Sequence, residues 1–229
     1  MVYTRDDVLK KCFDAFKDIK TFYKKAFINY SGKTSDTDEY YTEVIAEFLC
    51  DNLPAFIDGI PKISRETTYK TESHNGQFDP SSTREEEIIA MEMFNLSENG
   101  HIYDYIGKIV DYQTPLKNKR SDVAGKIDLL SYDGETLYIL ELKKPDSDES
   151  MLRCVLEGFT YMKTVDNEKL LNDFKLLPET KIVACPFVFK DRNQHNEMKE
   201  HRPQLFKLMK LLNSKPYYIE SRDYYKVEE

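Results

Sequence analysis

The amino-acid sequence predicts an α/β fold with an N-terminal helical extension, and three patterns support this fold class. Apolar-rich runs flank Asp133-Gly134, which is typical of a β-hairpin because glycine accepts the positive φ of a tight turn. Residues 182–189 are apolar throughout, apart from one proline, which indicates an interior strand. Apolar side chains at helical spacing lie before the hairpin and between it and that strand. Helices and strands therefore alternate along the chain.

Residues 1–80 are predicted to form a helical extension with an irregular loop, and residues 81–229 are predicted to form the core. In the extension, apolar side chains recur at helical spacing over residues 5–29, and a second helix over residues 38–53 is predicted to end at Pro54. Glycine, proline, serine and threonine are frequent after this helix, which is typical of a connecting segment. We therefore expect one core with an appendage.

The remaining elements of the core follow from the same periodicities and from capping residues. They are, in chain order, a helix over 84–94 that begins after Ser81-Ser82-Thr83, a strand over 105–112, a helix capped by Ser150, a helix over 204–212 and an edge strand over 217–220.

The composition limits the classes of function. The formal net charge of −8 argues against a general nucleic-acid coat protein, because such proteins neutralise many phosphates with lysine and arginine. It does not exclude an enzyme, which needs only a local basic rim. The four cysteines form no C-x-x-C pair, so we predict neither a zinc cluster nor a disulfide framework. We find no signal-peptide pattern and no apolar run of membrane-spanning length, so we expect a cytoplasmic protein without a membrane partner.

Three ionisable side chains of the hairpin are predicted to share one face of the sheet. If Tyr132 and Glu135 close the loop, Asp128 lies diagonal to Glu141, and Lys143 points the same way as Glu141. Diagonal Cα atoms in such a ladder are roughly 7–8 Å apart. A loop of two or four residues keeps this parity, whereas an unbulged loop of three residues reverses it. Two carboxylates and an amine are thereby brought together.

The apolar neighbours of these side chains favour a metal site. A carboxylate pair in a half-buried sheet is costly unless a cation compensates the lost hydration and the repulsion. The alternative is a solvated face on which Lys126 and Glu141 form a cross-strand ion pair. Because the same face carries Leu130, Leu137 and Ile139, we favour a buried site over a solvated one.

The hairpin resembles the signature of the PD-(D/E)XK nuclease superfamily. The matching segments are Gly125-Lys126-Ile127-Asp128-Leu129-Leu130 and Ile139-Leu140-Glu141-Leu142-Lys143. The resemblance covers residues 84–188 and implies a restriction-endonuclease-like fold, with a central mixed sheet of four to five strands flanked by helices. One feature departs from the family pattern, because isoleucine rather than proline precedes Asp128.

The resemblance implies a nuclease that hydrolyses phosphodiester bonds with Mg²⁺ or Mn²⁺. Asp128 and Glu141 would hold the metal, with Glu87 or Glu86 of the preceding helix as a further ligand, and Lys143 would stabilise the attacking hydroxide or the charge on phosphorus. DNA is the expected substrate. Two alternatives stay open: a catalytically silent nucleic-acid-binding or scaffold module on the same fold, and an RNA-cleaving enzyme. A homodimer also stays open.

Residues 157–161 are similar to a pattern of RecB-like members of the superfamily, in which glutamine and, four residues later, tyrosine lie near the active site. Here Glu157 replaces the glutamine and is followed by Tyr161. An ion pair between Arg153 and Glu157, four residues apart on a helix, explains the same residues structurally.

Two basic stretches are predicted to be solvated. One is the lysine face of the first helix, and the other is an exposed loop between the first core strand and the hairpin. Contact with nucleic acid is the alternative function for both. Their basic residues are Lys20, Lys24 and Lys25 in the helix and Lys117, Lys119 and Arg120 in the loop.

Overall fold

A computed structural model describes residues 2–77, 83–118, 125–222 and 224–229. Within these ranges the chain forms eight α-helices and one six-stranded sheet, which confirms the α/β class. The helices are α1 (Arg5–Ala15), α2 (Tyr41–Asp51), α3 (Leu53–Asp58), α4 (Glu85–Glu98), α5 (Met151–Thr164), α6 (Asn167–Asp173), α7 (Asn193–Lys199) and α8 (Pro203–Leu211). The strands are β1 (Lys108–Pro115), β2 (Lys126–Tyr132), β3 (Thr136–Leu142), β4 (Lys181–Phe189), β5 (Tyr217–Ile219) and β6 (Val227–Glu228).

The sheet is mixed, and its strands lie in chain order from β1 to β6. β1, β2 and β3 form an antiparallel meander, β3, β4 and β5 are parallel, and β6 is antiparallel to β5. The predicted four to five strands were too few, because β6 is a two-residue strand with no periodicity to detect. β5 was predicted as an edge strand, but β6 pairs with its outer side.

Both faces of the sheet are covered by helices. On one side, which we call the α5 face, α5 packs against β3 and β4, and the apolar cluster there also includes residues of α1, α2, α6 and α8. On the other side, the α4 face, α4 packs against β1 and β2. The N-terminal helices and the core thus contribute to one apolar cluster. No helix of the described residues is long and apolar enough to cross a membrane.

The β2–β3 hairpin differs from the predicted register but keeps its parity. Tyr132 pairs with Leu137 and Leu129 with Leu140, so four residues, rather than two, separate the closing pair. The Asp133 carboxylate accepts the backbone N–H groups of Glu135 and Thr136, which fixes this wider loop. Continued along the strands, the register sets Asp128 opposite Glu141 instead of diagonal to it.

The first predicted helix is shorter than expected. α1 ends at Ala15, and residues 16–29 form two 3₁₀ segments, Phe16–Lys24 and Ala26–Asn29, with non-helical backbone at Asp18 (φ −139°, ψ 71°). The Asp18 carboxylate accepts the hydroxyl of Thr21 at 2.6 Å, which is a local bond that competes with helix continuation. The apolar spacing persisted through this break, so the pattern did not reveal it.

Other boundaries also differ from the prediction. Pro54 lies in the first turn of α3 instead of ending a helix, because a missing N–H costs nothing at that position. β1 begins at Lys108 instead of residue 105, since Tyr105, with a positive φ of 64°, lies in a turn between the bridged residues Tyr103 and Gly107. α4 extends to Glu98, beyond the predicted end. Ser81 and Ser82, predicted to precede this helix, lie outside the described residues.

Ser150 caps α5 as predicted and also joins it to the N-terminal segment. Its Oγ accepts the N–H of Arg153 at 3.1 Å and donates to the carbonyl oxygen of Ile28 at 2.8 Å. We expect Ser150→Ala to lower the free energy of unfolding by about 1–2 kcal/mol, because a helix cap and a buried hydrogen bond are lost together. Urea denaturation measures this, with the exposed Ser73→Ala as a control expected within about 0.5 kcal/mol of wild type. A loss no larger than that of the control contradicts the capping role.

Candidate functional site

The site lies where β2 and β3 separate. The backbone pairing of β2 with β3 ends at Leu129 and Leu140. Beyond this pair, the side chain of Asp128, rather than a backbone carbonyl group of β2, accepts the next N–H of β3. Asp128 Oδ2 accepts the N–H of Leu142 at 3.1 Å, and its Oδ1 accepts Nε2 of Gln113 at 3.0 Å. The Asp128 carboxylate therefore fills the gap between the strands.

The backbone turns at this position. In a regular strand, alternate residues point to the same face, yet Ile127 belongs to the apolar cluster of the α5 face and Leu129 to that of the α4 face. β3 and β4 alternate between the two clusters without such an exception. β2 thus twists at Asp128. The Asp128 carboxylate interacts electrostatically with charged side chains on both sides of the sheet, Glu86 on one side and Lys143 and Glu157 on the other.

On the α4 side, Asp128 opens into an acidic cleft of about 370 Å³. Glu86 lines this cleft; its Oε1 accepts the N–H of Lys144 at 3.2 Å, and its charge acts on Asp128. Glu87 also lines the cleft but forms an ion pair with Arg84 at 2.9 Å. The full lining is Thr83, Arg84, Glu85, Glu86, Glu87, Gln113, Asp128 and Lys144.

On the α5 side, Lys143 lies among three carboxylates. Its Nζ is 2.7 Å from Glu141 Oε1, 2.8 Å from Glu149 Oε2 and 3.6 Å from Glu157 Oε2. Lys143 and Glu141 are both buried, with 6% and 3% of their surface exposed. Glu141 and Lys143 are therefore in direct contact, as their shared face predicted.

α5 supplies the rest of this charge cluster. Arg153 Nε donates to Glu157 Oε2 at 3.1 Å, so the helical ion pair expected from the sequence is present. The hydroxyl of Tyr161 donates to Glu157 Oε1 at 2.7 Å. Gly158 faces Glu141 on the same helix, and a side chain there would meet the Cβ of Glu141 at 3.4 Å. Glu157 thus forms the helical ion pair with Arg153 and also lies near Lys143.

Glu149 is a member of the cluster that sequence reasoning missed. It lies in the segment before α5, and its Oε1 is also 3.9 Å from Arg153 Nε. Within the sequence it appears as one of several acids in a capping segment. The contact with Lys143 depends on how that segment folds back on β3, which no local pattern reports.

The pKa values separate the carboxylates into two groups. Burial raises the pKa of Asp128 to about 7, and the charges of Glu86 and Glu157 add to this while Lys143 opposes it. Burial and the Glu157 charge also raise the pKa of Glu141 well above its ordinary value. The pKa of Glu157 is lowered, because Lys143 and Arg153 outweigh the effect of burial.

Lys143 is held in its charged form. Burial alone would lower its pKa, but the surrounding carboxylates, Glu141 first, outweigh burial and raise the pKa well above the ordinary lysine value. The amine therefore stays protonated at neutral pH and serves the site as a fixed positive charge.

The donor set is chemically suited to a hard divalent cation. Asp128, Glu141 and Glu86 offer carboxylate oxygens, and within the described part of the chain neither Asp128 nor Glu86 forms an ion pair. Among the same residues, no three His, Cys, Asp or Glu side chains are grouped closely enough to enclose a metal ion. Mg²⁺ commonly uses only one or two protein carboxylates and keeps several waters, so Asp128 and Glu86, which line one cleft, would suit this ion chemically.

A larger cavity of about 960 Å³ lies along α6 and residues 176–182. None of the candidate site residues lines it, and its walls combine charged and amide side chains with apolar ones. The smaller cleft therefore remains the candidate site, because Asp128, whose pKa is raised by burial, lines it.

Comparison of the chain with protein-family models, curated proteins and solved structures gave no match.

Proposed function

We propose that this chain is a restriction-endonuclease-like, metal-dependent nuclease that hydrolyses phosphodiester bonds in DNA. The observation that carries the proposal is the contact between Glu141 and Lys143 next to the divergence of two strands, where Asp128 is within reach of the Lys143 charge and burial raises both carboxyl pKa values. The order of elements supports the fold assignment. A helix precedes three antiparallel strands, and a second helix leads to a parallel strand, as the family resemblance implies.

The site residues have different roles in the proposed reaction. Asp128 and Glu141 would hold a Mg²⁺ or Mn²⁺ ion, with Glu86 as the further ligand in preference to Glu87, whose carboxylate pairs with Arg84. Such an ion supplies Lewis-acid polarisation of the phosphate and a lower pKa for a bound water. Lys143 remains protonated and stabilises negative charge that develops on the attacking oxygen or on phosphorus. Glu149 and Glu157 position its amine.

Metal dependence is the direct test. We expect the purified protein to cleave labelled DNA in Mg²⁺ or Mn²⁺ and to leave it intact in EDTA, since the carboxylates repel phosphate until a cation is bound. RNA substrates run in parallel decide between a DNA and an RNA nuclease. Glu141→Gln, which removes one ligand charge, is the matched negative control, and excess Mn²⁺ is expected to restore part of its rate.

A catalytically silent nucleic-acid-binding or scaffold module is the second candidate. It is favoured by the ion pairs that Lys143 already makes with Glu141 and Glu149, which resemble a structural network. If the wild-type protein binds Mg²⁺ at this site and cleaves no DNA or RNA of any form, this candidate replaces the nuclease.

A further inference from the structure

The N-terminal 3₁₀ segment is built onto the candidate site. Tyr23 is buried, its ring lies edge-on to that of Tyr161 with centroids 5.7 Å apart, and the two hydroxyls are 3.4 Å apart. Arg153 donates through Nη1 to the Tyr23 carbonyl oxygen and lies 4.8 Å from the centre of its ring. Ser150 holds the following 3₁₀ segment, Ala26–Asn29, through Ile28. Tyr23, the residue before Lys24, is thus joined to α5 by a ring contact and hydrogen bonds.

Lys24 is on the solvent side of this contact. Its side chain is exposed, and its Nζ lies 5.3 Å from the centre of the Tyr23 ring. Because the neighbouring Tyr23 contacts Tyr161, and Tyr161 bonds Glu157 of the charge cluster, only two side chains separate Lys24 from the cluster. A cation is thereby placed beside the acidic site.

A second lysine reaches the same place from another part of the chain. Gly125 packs so closely on Tyr161 that a Cβ at this position would overlap the tyrosine hydroxyl. The carbonyl oxygen of Gly125 accepts the N–H of Leu116 at 3.4 Å, and Lys117, the next residue, is exposed. Lys24 and Lys117 therefore each follow a residue that is joined to the surroundings of Tyr161, and Lys117 is close enough to act electrostatically on Lys24.

These cations repel one another. Burial lowers the pKa of Lys24, Glu157 opposes this effect, and the positive charges of Arg153 and Lys117 lower the pKa further. Within the described residues, neither Lys24 nor Lys117 forms an ion pair, although the whole chain carries a net charge of −8. Like charges gathered beside a site and left unneutralised are stabilised by a bound anion.

We propose that Lys24 and Lys117 bind the phosphate backbone of the nucleic acid beside the site of Asp128, Glu141 and Lys143. The N-terminal extension then supplies part of the substrate surface. This inference rests on the proposed function and assigns a binding role to lysines that the sequence predicted to be merely solvated.

The test is the salt dependence of binding. Binding of fluorescent DNA to the full chain is measured in EDTA, where no cleavage occurs, for wild type and for Lys24→Ala/Lys117→Ala. We expect weaker binding by the double variant and a slope of log K against log salt that is smaller by about 1.4 to about 1.8, since two phosphate contacts are lost. Both side chains are exposed, so the fold is expected to persist.

Lys181→Ala/Lys210→Ala is the matched control. It removes the same charge from two exposed lysines that, within the described residues, form no ion pair, and both lie beside Thr136, at the end of β3 remote from Lys143. We expect its slope to equal that of wild type.

The outcomes separate this inference from the proposed function. If wild type cleaves nucleic acid but the Lys24→Ala/Lys117→Ala slope matches the control, the lysines do not bind phosphate and only this inference is overturned. If wild type neither binds nucleic acid in EDTA nor cleaves it with metal, both proposals fail. If the slope of log K against log salt is smaller than that of wild type only for Lys24→Ala/Lys117→Ala, the N-terminal extension is part of the substrate surface.

Discussion

Lys143→Ala is expected to lower the rate of cleavage by a factor of about 10² or more while leaving the metal ligands in place. The amine is the positive charge closest to Glu141, and its raised pKa keeps it protonated. Without this amine, no fixed positive charge from Lys143 stabilises the negative charge that develops in the transition state. Binding of Mn²⁺, followed by calorimetry, is expected to survive in the variant, because Asp128 and Glu141 are unchanged.

The same substitution has a second expected effect, on stability. It leaves Glu141, Glu149 and Glu157 with Arg153 as their remaining basic neighbour in the cluster, and breaking a buried ion pair from one side costs about 3–5 kcal/mol. The raised pKa of Glu141 then rises further, and Glu157 loses one of the two positive charges that lower its pKa. When the pKa of a carboxyl group is higher in the folded than in the unfolded state, ionisation of that group destabilises the fold. We therefore expect the loss of stability in Lys143→Ala to be larger at pH 8 than at pH 5.

Lys143→Arg is the companion variant, because it keeps the positive charge in the cluster and so preserves the fold. We expect it to remain folded at pH 8 and to cleave slowly, since the guanidinium cannot occupy the position of the compact amine. Cleavage by a folded Lys143→Ala protein at the wild-type rate would show that the mechanism proposed for Lys143 is wrong.

The features that the sequence predicted correctly are those fixed by neighbours along the chain. Asp133-Gly134 gave the hairpin, and Ser150 gave the start of α5, because turns and caps depend on a few adjacent residues. The direct contact between Glu141 and Lys143 followed from strand alternation alone. Roles for Asp128, Glu86 and Glu87 stay predictions, although all three line one cleft.

The features that the sequence did not predict depend on contacts between distant segments. Glu149 joins Lys143 only because the segment before α5 folds against β3, and Tyr23 meets Tyr161 across 138 positions of the chain. The break after Ala15 was hidden because 3₁₀ segments and α-helices bury apolar residues at similar spacing. The Lys119 and Arg120 positions of the basic loop lie outside the described residues.

Asp128→Asn is expected to abolish cleavage and, unlike most substitutions of a buried polar residue, to stabilise the metal-free protein at pH 8. Burial and the charges of Glu86 and Glu157 raise the pKa of Asp128 to about 7, whereas an unfolded aspartate has a pKa of about 3.9. Asparagine can still accept the N–H of Leu142 and bond Gln113. The substitution therefore removes a disfavoured charge and keeps the hydrogen bonds.

The sign of the pH dependence follows from the raised pKa. Below about pH 4 the carboxyl group is protonated in the folded and unfolded states, and its charge costs nothing. As the pH rises from about 4 through about 7, the unfolded state ionises first, so the wild-type protein loses stability in this window. We expect the half-buried Asp128 to account for about 1–2 kcal/mol, which Asp128→Asn recovers at pH 8. Thermal and urea denaturation in EDTA measure the difference.

Asp133→Asn is a control with the opposite sign. Although burial raises the pKa of Asp133, bonds from the N–H groups of Glu135 and Thr136 and from the Tyr138 hydroxyl lower it below the ordinary value. Its ionised form stabilises the fold, so this variant is expected to be less stable than wild type at pH 8 and to approach it as the pH falls below about 4.

Added Mg²⁺ or Mn²⁺ completes the comparison. A cation that binds the folded state raises its stability by mass action, so we expect the metal to raise the melting temperature of wild type and of Asp133→Asn but not of Asp128→Asn. The metal thereby reverses the order of wild type and Asp128→Asn at pH 8. If Asp128→Asn instead loses stability in EDTA as Asp133→Asn does, Asp128 serves the fold as an ordinary hydrogen-bond acceptor. That result would contradict the proposal that its charge is compensated only by a bound cation.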